Sequence, residues 1–337
     1  MRAAGRAYLA QTGRFASVGQ WLRGAAATAL LVLAFAGVLR GLPGPALIWA
    51  ALAGLGGFGL LATLCHDAAH GALGPSRWLN RAVLTVGFGV FGISGALWGW
   101  RHVALHHRFP NVEGTDIDGE GGIAIRLAPT DPWRWWHRAQ PFYAPFLYLL
   151  VFAHLAWVKD FAFLRRARRE APAQFAGTGA LLEFAVVKIA HAAFALLLPW
   201  LVLQPPLWAL ALGYLIFTGI ASLLFVLLAA GTHLSEAVDF VQPKEGQIAH
   251  DWVEHQLRTT IDWAPTRAWA VAVSGGANAH AAHHIFPHAA HCHAPVLSAI
   301  VSDQAARAGM THRVSSFGGM LGAHLAHLRH MARRPSG

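Results

Sequence analysis

The sequence predicts an all-α integral membrane protein with four transmembrane helices in two hairpins, interfacial helices and a cytoplasmic histidine-rich cap. Three observations predict this class. Of the 337 residues, 55% are hydrophobic and only 12% are charged, which is unusually apolar for a soluble domain. Four apolar stretches are long enough to cross ~30 Å of hydrocarbon. Basic residues also concentrate on one predicted side. We expect residues 1–337 to form one such domain.

The four predicted spans pair through short turns. The first hairpin turns at Gly-Leu-Pro-Gly, 41–44, and the second at Gln-Pro-Pro, 204–206, because Gly and Pro interrupt helices. The glycine-rich stretch 53–59 either allows close helix packing or lines a tunnel for an apolar ligand. The predicted spans are about 24–42, 44–64, 179–203 and 206–230.

Charge placement predicts the orientation. With the N-terminus inside, 24 of the 26 Lys and Arg residues are cytoplasmic, and the exceptions are Arg40 and Lys188. Both termini and the cap segments, 66–178 and 231–337, are therefore expected in the cytoplasm. The net charge of +10 suits anionic lipid or an acidic partner. No basic segment accompanies a nucleic-acid-binding motif, so no nucleic-acid partner is expected.

Three stretches allow other interpretations. The apolar stretches 82–98 and 141–158 are short and aromatic, so we interpret them as interfacial or re-entrant helices. If the first of them spanned the bilayer, His102 would lie on the opposite side from His66. Ala34-Phe35-Ala36 resembles a signal-peptide cleavage site, but 23 preceding residues make a long n-region, and cleavage would not alter the later topology.

Nine histidines fall into four clusters near predicted helix ends on one side of the membrane. The first two are four residues apart and share a helical face. In "HVALHH" and "HAAHH" the adjacent histidines diverge by about 100° on a helix, so each suits a different ion. Taken singly, each cluster could be hydrogen-bonded or hydrated, but their shared side favours a metal centre built from imidazoles. The predicted ligands are His66, His70, His102, His106, His107, His233, His280, His283 and His284.

The remaining histidines carry no predicted metal role. His154 and His191 lie in apolar helices and are expected to be hydrogen-bonded packing residues. A further group, His288, His291 and His293, is not assigned as a zinc site. The histidines of the basic tail are expected to face solvent; these are His312, His324, His327 and His330.

These motifs resemble the membrane-bound fatty acid desaturases, and among them the acyl-lipid or linoleoyl-CoA-type enzymes. The similarity runs from about Leu64 to Leu328. "HDAAHG" at 66–71 resembles the first histidine box, and "HVALHHRFPN" with "GTDID" resembles the second box and its Asn and Asp tail. "EHQLRTT" at 254–260 and "GGAN" at 275–278, leading into "HHIFP" at 283–287, resemble the approach to the third box.

The resemblance implies an O2-dependent enzyme with two iron ions that introduces a double bond into a lipid-, CoA- or carrier-protein-linked acyl chain. Electrons would come from ferredoxin or cytochrome b5 with a reductase, as a separate protein, because the chain has no His-Pro-Gly-Gly haem motif. The third box begins with His280 where front-end enzymes usually have Gln. No catalytic residue is expected beyond the metal centre. The side chains expected to orient the ligands are Asp67, Asn111, Asp116, Asp118 and His255.

Several alternatives remain open. The three aspartates could instead cap helices or lie at the surface. A related membrane hydroxylase or acetylenase would use the same scaffold, and a non-enzymatic metal- or haem-binding membrane protein would keep the histidines without turnover. Four arginines, Arg165, Arg166, Arg168 and Arg169, either attract a substrate phosphate or act as an orientation signal beside anionic lipid.

Overall fold

The computed structural model describes residues 1–40, 43–116 and 122–335, and almost all regular structure there is helical. The α-helices of the first half are α1 Arg2–Thr12, α2 Val18–Leu39, α3 Pro43–Leu60, α4 His66–Ala69, α5 Arg77–Gly89, α6 Gly95–Gly99, α7 Gln140–Leu147, α8 Val151–His154 and α9 Asp160–Glu170. Those of the second half are α10 Pro172–Phe175, α11 Thr178–Ala192, α12 Leu198–Leu203, α13 Leu207–Leu228, α14 Trp252–Arg258, α15 Ala268–Ser274, α16 His280–Ile285, α17 Ala294–Arg307 and α18 Phe317–Ala332.

Shorter elements connect these helices. Two two-residue strands, β1 Asp262–Trp263 and β2 Val314–Ser315, pair in parallel. The π-helical turns are Leu61–Cys65, Trp100–His106, Leu155–Lys159 and Ala193–Leu197, and the 3-10 turns are Trp135–Ala139, Tyr148–Leu150, Ala230–Thr232 and His291–His293.

Five of the described helices are long and apolar enough to cross a membrane, where the sequence predicted four. The fifth, Trp135–Glu170, includes the stretch 141–158 that we interpreted as interfacial. It comprises several helical pieces joined by a 3-10 and a π turn. The other four are Val18–Leu39, Ala46–Ala69, Thr178–Leu203 and Leu207–Thr232.

The first spanning helix begins earlier than its hydropathy predicts. Ser17 caps α2, and its side chain accepts a hydrogen bond from the Gln20 main-chain N–H, which satisfies one free donor of the first turn. Gln20 is fully buried, and its amide donates a hydrogen bond to Asp67 at 2.7 Å, which compensates for the loss of water. A polar residue with a buried partner therefore belongs to the helix, although a hydropathy window excludes it.

The glycine-rich stretch of α3 serves helix packing. A Cβ on Gly56 would lie 2.5 Å from the main-chain N of Leu31 in α2, and one on Gly54 would collide with the Phe217 carbonyl oxygen in α13. The two backbones therefore approach α3 as closely as only glycine permits. Packing, rather than a tunnel lining, explains these two glycines.

Lys188, an exception to the predicted charge asymmetry, has a buried partner. Its ammonium lies 2.7 Å from Asp160 Oδ2 and donates to the Ala156 carbonyl at 2.6 Å. Asp160 also accepts the main-chain N–H of Ser94 at 2.8 Å. Pairing and hydrogen bonding allow two buried charges to persist in apolar surroundings, and they join α11 to the Trp135–Glu170 helix.

Candidate metal centre

The first histidine pair follows an irregular turn of the second spanning helix. The π-helical turn Leu61–Cys65 is wholly buried and leads directly into α4. His66 and His70 lie on this buried segment, with their rings 5.2 Å apart. Such π turns are rare in proteins, and those that occur are often found at functional sites.

The second cluster lies on another π-helical turn, Trp100–His106, and this changes which histidines share a face. The main-chain N–H of His107 donates to the His102 carbonyl at 3.0 Å, a bond between residues five apart. His102 Nε2 and His107 Nε2 are consequently 3.1 Å apart. The α-helical spacing assumed from the sequence paired His102 with His106 instead; their rings do stack, at 5.5 Å, but these two side chains point to different groups of histidines.

The third cluster lies on α16, which is α-helical. Its adjacent residues His283 and His284 have rings 5.8 Å apart at an interplanar angle of 89°. His284 Nε2 lies 3.1 Å from Nε2 of His233, which follows the last spanning helix. His283 packs against His66, with ring centroids 4.4 Å apart.

The nine histidines thus form one continuous cluster that contains two sets of potential ligands. Within each set, one ring nitrogen per residue lies within 4.8 Å of all the others. His107 lies between the sets, since its ring is 4.5 Å from His70 and 4.2 Å from His284. The first set is His66, His70, His102 and His283, and the second is His106, His233, His280 and His284.

The chemistry of these donors fits metal ions. Nitrogens that share an ion at about 2.1 Å lie ~3.0–3.4 Å apart in octahedral or tetrahedral geometry, and the Nε2–Nε2 distances of 3.1 Å match this. Among the described residues, Nε2 of His70, His280 and His283 has no hydrogen-bond partner although it is buried. A bound cation would satisfy these orphaned nitrogens.

Burial keeps the imidazoles neutral, which is the form that binds metals. Burial, followed by the charges of neighbouring histidines, lowers the pKa of His70, His102, His107, His280, His283 and His284 well below its usual value. The same two causes lower the pKa of His233 to about 3.

Several imidazoles are oriented through their second ring nitrogen, as is typical of metal-binding histidines. His106 Nδ1 donates to Asp116 at 3.0 Å, and His284 Nδ1 donates to Gln256 Oε1 at 2.7 Å. His233 Nδ1 donates to the Thr259 carbonyl at 2.8 Å. Burial alone would raise the pKa of Asp116, but His106 and the main-chain N–H of Asn111 lower it to about 2.

Of the side chains expected to orient ligands, Asp116 contacts an imidazole of the cluster directly. Asp67 Oδ1 is 3.7 Å from His66 Nδ1, whereas Asp67 Oδ2 lies 3.0 Å from Nδ1 of the buried His291. Asn111 donates to the His233 carbonyl at 2.9 Å, so it holds backbone. Asp118 lies outside the described residues.

His255 lies outside the cluster. Its Nε2 donates to the Pro110 carbonyl at 3.0 Å, and its Nδ1 is 3.1 Å from His250. Burial and the neighbouring His250 lower its pKa to about 4. The next residue, Gln256, accepts the hydrogen bond from His284. The segment 254–260 therefore does contain a residue that orients a predicted ligand, but it is Gln256 rather than His255.

The tail of the chain supports the cluster, which corrects the prediction that its histidines face solvent. His312 Nε2 donates to Asp262 Oδ2 at 2.9 Å, while Asp262 Oδ1 accepts the main-chain N–H of Ala281 in the third cluster at 2.9 Å. His324 and His327 are 4% and 3% exposed and donate to main-chain carbonyls. Only His330 of the four is exposed. His191 is hydrogen-bonded and buried as predicted, whereas His154, which was also predicted to be a packing residue, is exposed.

The four arginines considered for phosphate binding, Arg165, Arg166, Arg168 and Arg169, lie on α9. Arg166 pairs with Glu170 at 2.7 Å and donates to the Gly114 carbonyl at 3.3 Å. The other three, Arg165, Arg168 and Arg169, are exposed. None of the four lines the cavity described next.

An apolar cavity of about 650 Å³ adjoins the histidines, a volume typical of small-molecule sites. Its wall includes members of both ligand sets, namely His66, His102, His106, His233 and His280. Phe58 of α3, Phe88 of α5, and Phe225 and Leu228 of α13 also line it. An extended apolar molecule lying here would pass beside the metal centre.

The sequence profile of the family described as Fatty acid desaturase matches residues 42–316. The chain belongs to the fatty acid desaturase family. It is 30% identical over 305 residues to the sn-1 linoleoyl-lipid 6-desaturase of Arthrospira platensis, covering 87% of this chain and 81% of that protein. It is 27% identical to a protein of the same name from Synechocystis sp., over 74% of this chain and 70% of that protein. An acyl-lipid (7-3)-desaturase of Diacronema lutheri is 29% identical, over 96% and 72% of the two chains.

The family confirms the resemblance inferred from the motifs, and it identifies the chain as a membrane oxidoreductase of lipid metabolism. The clustered histidines of this desaturase fit the histidine boxes and iron binding. The hypothesis of a non-enzymatic binding protein is therefore set aside.

Proposed function

We propose that this desaturase holds two iron ions in its two histidine sets and introduces a double bond into an acyl chain linked to a membrane lipid. The observation that carries the proposal is the juxtaposition of the two sets, each of four imidazoles, with the apolar cavity. The names of the relatives support the lipid-linked substrate. As the sequence suggests, the histidines and both termini would lie on the cytoplasmic side, with four helices crossing the bilayer and Trp135–Glu170 lying at its interface.

Iron would supply the redox chemistry that no protein side chain provides for an unactivated methylene pair. The overall reaction balances when two hydrogens leave the chain and O2 is reduced to two waters with two further electrons and two protons. A separate carrier protein, ferredoxin or cytochrome b5 with its reductase, would deliver the electrons. The chain's own residues hold the ions, orient the imidazoles through Asp116 and Gln256, and keep water from the apolar cavity.

The mass of the acyl product tests the proposed reaction. The iron-loaded protein, supplied with O2, a reductant system and a lipid carrying a saturated or monounsaturated chain, is expected to yield a product two mass units lighter, because two hydrogens are lost. A product sixteen units heavier would show hydroxylation instead. Loss of two hydrogens at an existing double bond gives the same mass change and is recognised by fragmentation that locates a triple bond. Either acetylene formation or hydroxylation would overturn the proposed desaturation.

A further inference from the structure

One wall of the cavity is formed by the long helix Trp135–Glu170. Its lining residues begin at Leu147, include all six residues 150–155 and continue at Lys159 and Phe163. From the first of these residues to the last, the helix covers about 24 Å at the rise of an α-helix. We refer to these lining residues as the stripe.

Part of this stripe reaches the protein surface. Leu150 is 40% exposed although it lines the cavity, and His154 and Ala124, which also line it, are exposed as well. The cavity therefore has a mouth between the segment around Ala124 and the Leu150–His154 face. A channel sealed from this side would have buried these residues.

The surface around the mouth is apolar. Phe142 and Phe146 lie on the same helix before the mouth and are 79% and 71% exposed, and Val158 after it is 55% exposed. The helix is long and apolar enough to lie in a membrane. Apart from His154, this exposed face is apolar, and it matches hydrocarbon rather than water.

The far end of the stripe is cationic. Lys159 lines the cavity, with its ammonium 5.9 Å from the ring centre of Phe163, and the basic residues of α9 follow within the next ten positions. Lys and Arg at the end of a membrane helix attract the oxygens of lipid headgroups. The stripe thus offers an apolar length for a chain and a cation for its polar end.

We propose that the mouth is a lateral portal to the bilayer, through which an acyl chain still attached to a phospholipid enters the cavity, with its ester and phosphate oxygens at Lys159. This rests on the proposed function for the reaction that follows, but the portal itself is a binding site that can be tested without turnover. The substrate would reach the histidines from within the membrane, without release into water.

Photo-crosslinking tests the portal. The purified protein is placed in nanodiscs containing phosphatidylglycerol with a diazirine midway along one acyl chain, and crosslinked peptides are identified by mass spectrometry. The wild type should crosslink at cavity residues of α8 and α13. Leu150→Trp should reduce that yield about tenfold, because the indole fills the mouth. Val158→Trp, the matched control outside the cavity, should leave it unchanged, and Leu150→Ala should maintain or increase it.

A second pair of variants tests whether Lys159 binds the polar end of the lipid. Lys159→Gln should weaken competition by unlabelled phosphatidylglycerol, whereas Arg307→Gln, on an exposed cation of α17 outside the cavity, should not. Equal effects of Leu150→Trp and Val158→Trp would overturn the portal. Cavity labelling only by a diazirine acyl thioester added from the water side would also overturn it. Cavity labelling by the lipid without any double-bond product would support the portal and contradict the proposed reaction.

Discussion

Asp116 accepts a hydrogen bond from His106 Nδ1, and this buried contact orients a predicted metal ligand. Asp116→Asn keeps the size but removes the carboxylate charge. We expect the affinity for iron, or the desaturation rate, to fall about 10- to 100-fold, as is usual when such a partner is lost. Iron retained after dialysis and product yield would measure this.

The control for this variant is Asp303→Asn, since Asp303 is an exposed carboxylate paired with Arg307. It should leave both quantities unchanged. Wild-type iron affinity and rate in Asp116→Asn would contradict the orienting role.

At the residue scale, the sequence identified the nine clustered histidines and Asp116, but not their other partners. Gln256 was overlooked because neutral amides are common and have no distinctive spacing. His233 and His280 donate hydrogen bonds to the main-chain carbonyls of Thr259 and Ala277. Every residue has such a carbonyl, so residue type cannot predict these partners. Long-range contacts such as Asp67 with His291 depend on the packing of segments 224 residues apart.

At the element scale, the packing of α2 on α3 fixes the base of the centre, because α3 leads through the π turn to His66. Gly56→Ala should destabilise the protein by ~1–3 kcal/mol, since the new methyl meets main-chain atoms of α2 that cannot move aside. Thermal unfolding in detergent would show the lower midpoint.

The matched control is Gly213→Ala in α13, where a Cβ meets nothing within 4 Å. A helical Gly→Ala change without collision should be neutral or stabilising by ~0.5–1 kcal/mol. If both variants had the same midpoint, close packing at Gly56 would not be required.

The winding of the helix explains why the sequence analysis described the second histidine cluster incompletely. A π turn arises from a one-residue adjustment in helical winding, and neither hydropathy nor residue type distinguishes it from an α turn. It moves the partner of His102 from His106 to His107. The third cluster lies on an ordinary α-helix, so its geometry follows directly from spacing.

For the whole molecule, the buried neutral histidines predict how stability depends on pH. The pKa of His233 is lowered to about 3, and those of His255 and His327 to about 4, mainly by burial, whereas unfolded histidine titrates near ~6.5. Between these values the unfolded chain binds more protons, so the free energy of unfolding falls as pH decreases.

Metal-free protein should therefore unfold at progressively lower temperatures as the pH is reduced from 7 to 5. Scanning calorimetry at matched ionic strength would measure the trend. A midpoint that stays constant or rises over this interval would mean that the histidines are not neutral and buried in the folded state.

The membrane-helix content of the whole molecule was largely predictable, because long apolar runs have few alternatives. The four predicted spans correspond to four of the five candidate helices and differ from them mainly at their ends. The stretch 141–158 was interpreted as interfacial because it is short and aromatic. Its helix also contains the polar residues His154 and Lys159, which line the cavity, so this helix faces a ligand site as well as apolar surroundings.

The central claim is that the nine histidines hold two irons. The most direct test is the iron content per chain of protein purified from iron-supplemented cells, measured by elemental mass spectrometry beside His70→Ala and His284→Ala, which each remove one ligand from a different set. We expect about two irons in the wild type and fewer in either variant. A folded wild-type protein that binds no iron, or that keeps its iron in both variants, would contradict the claim.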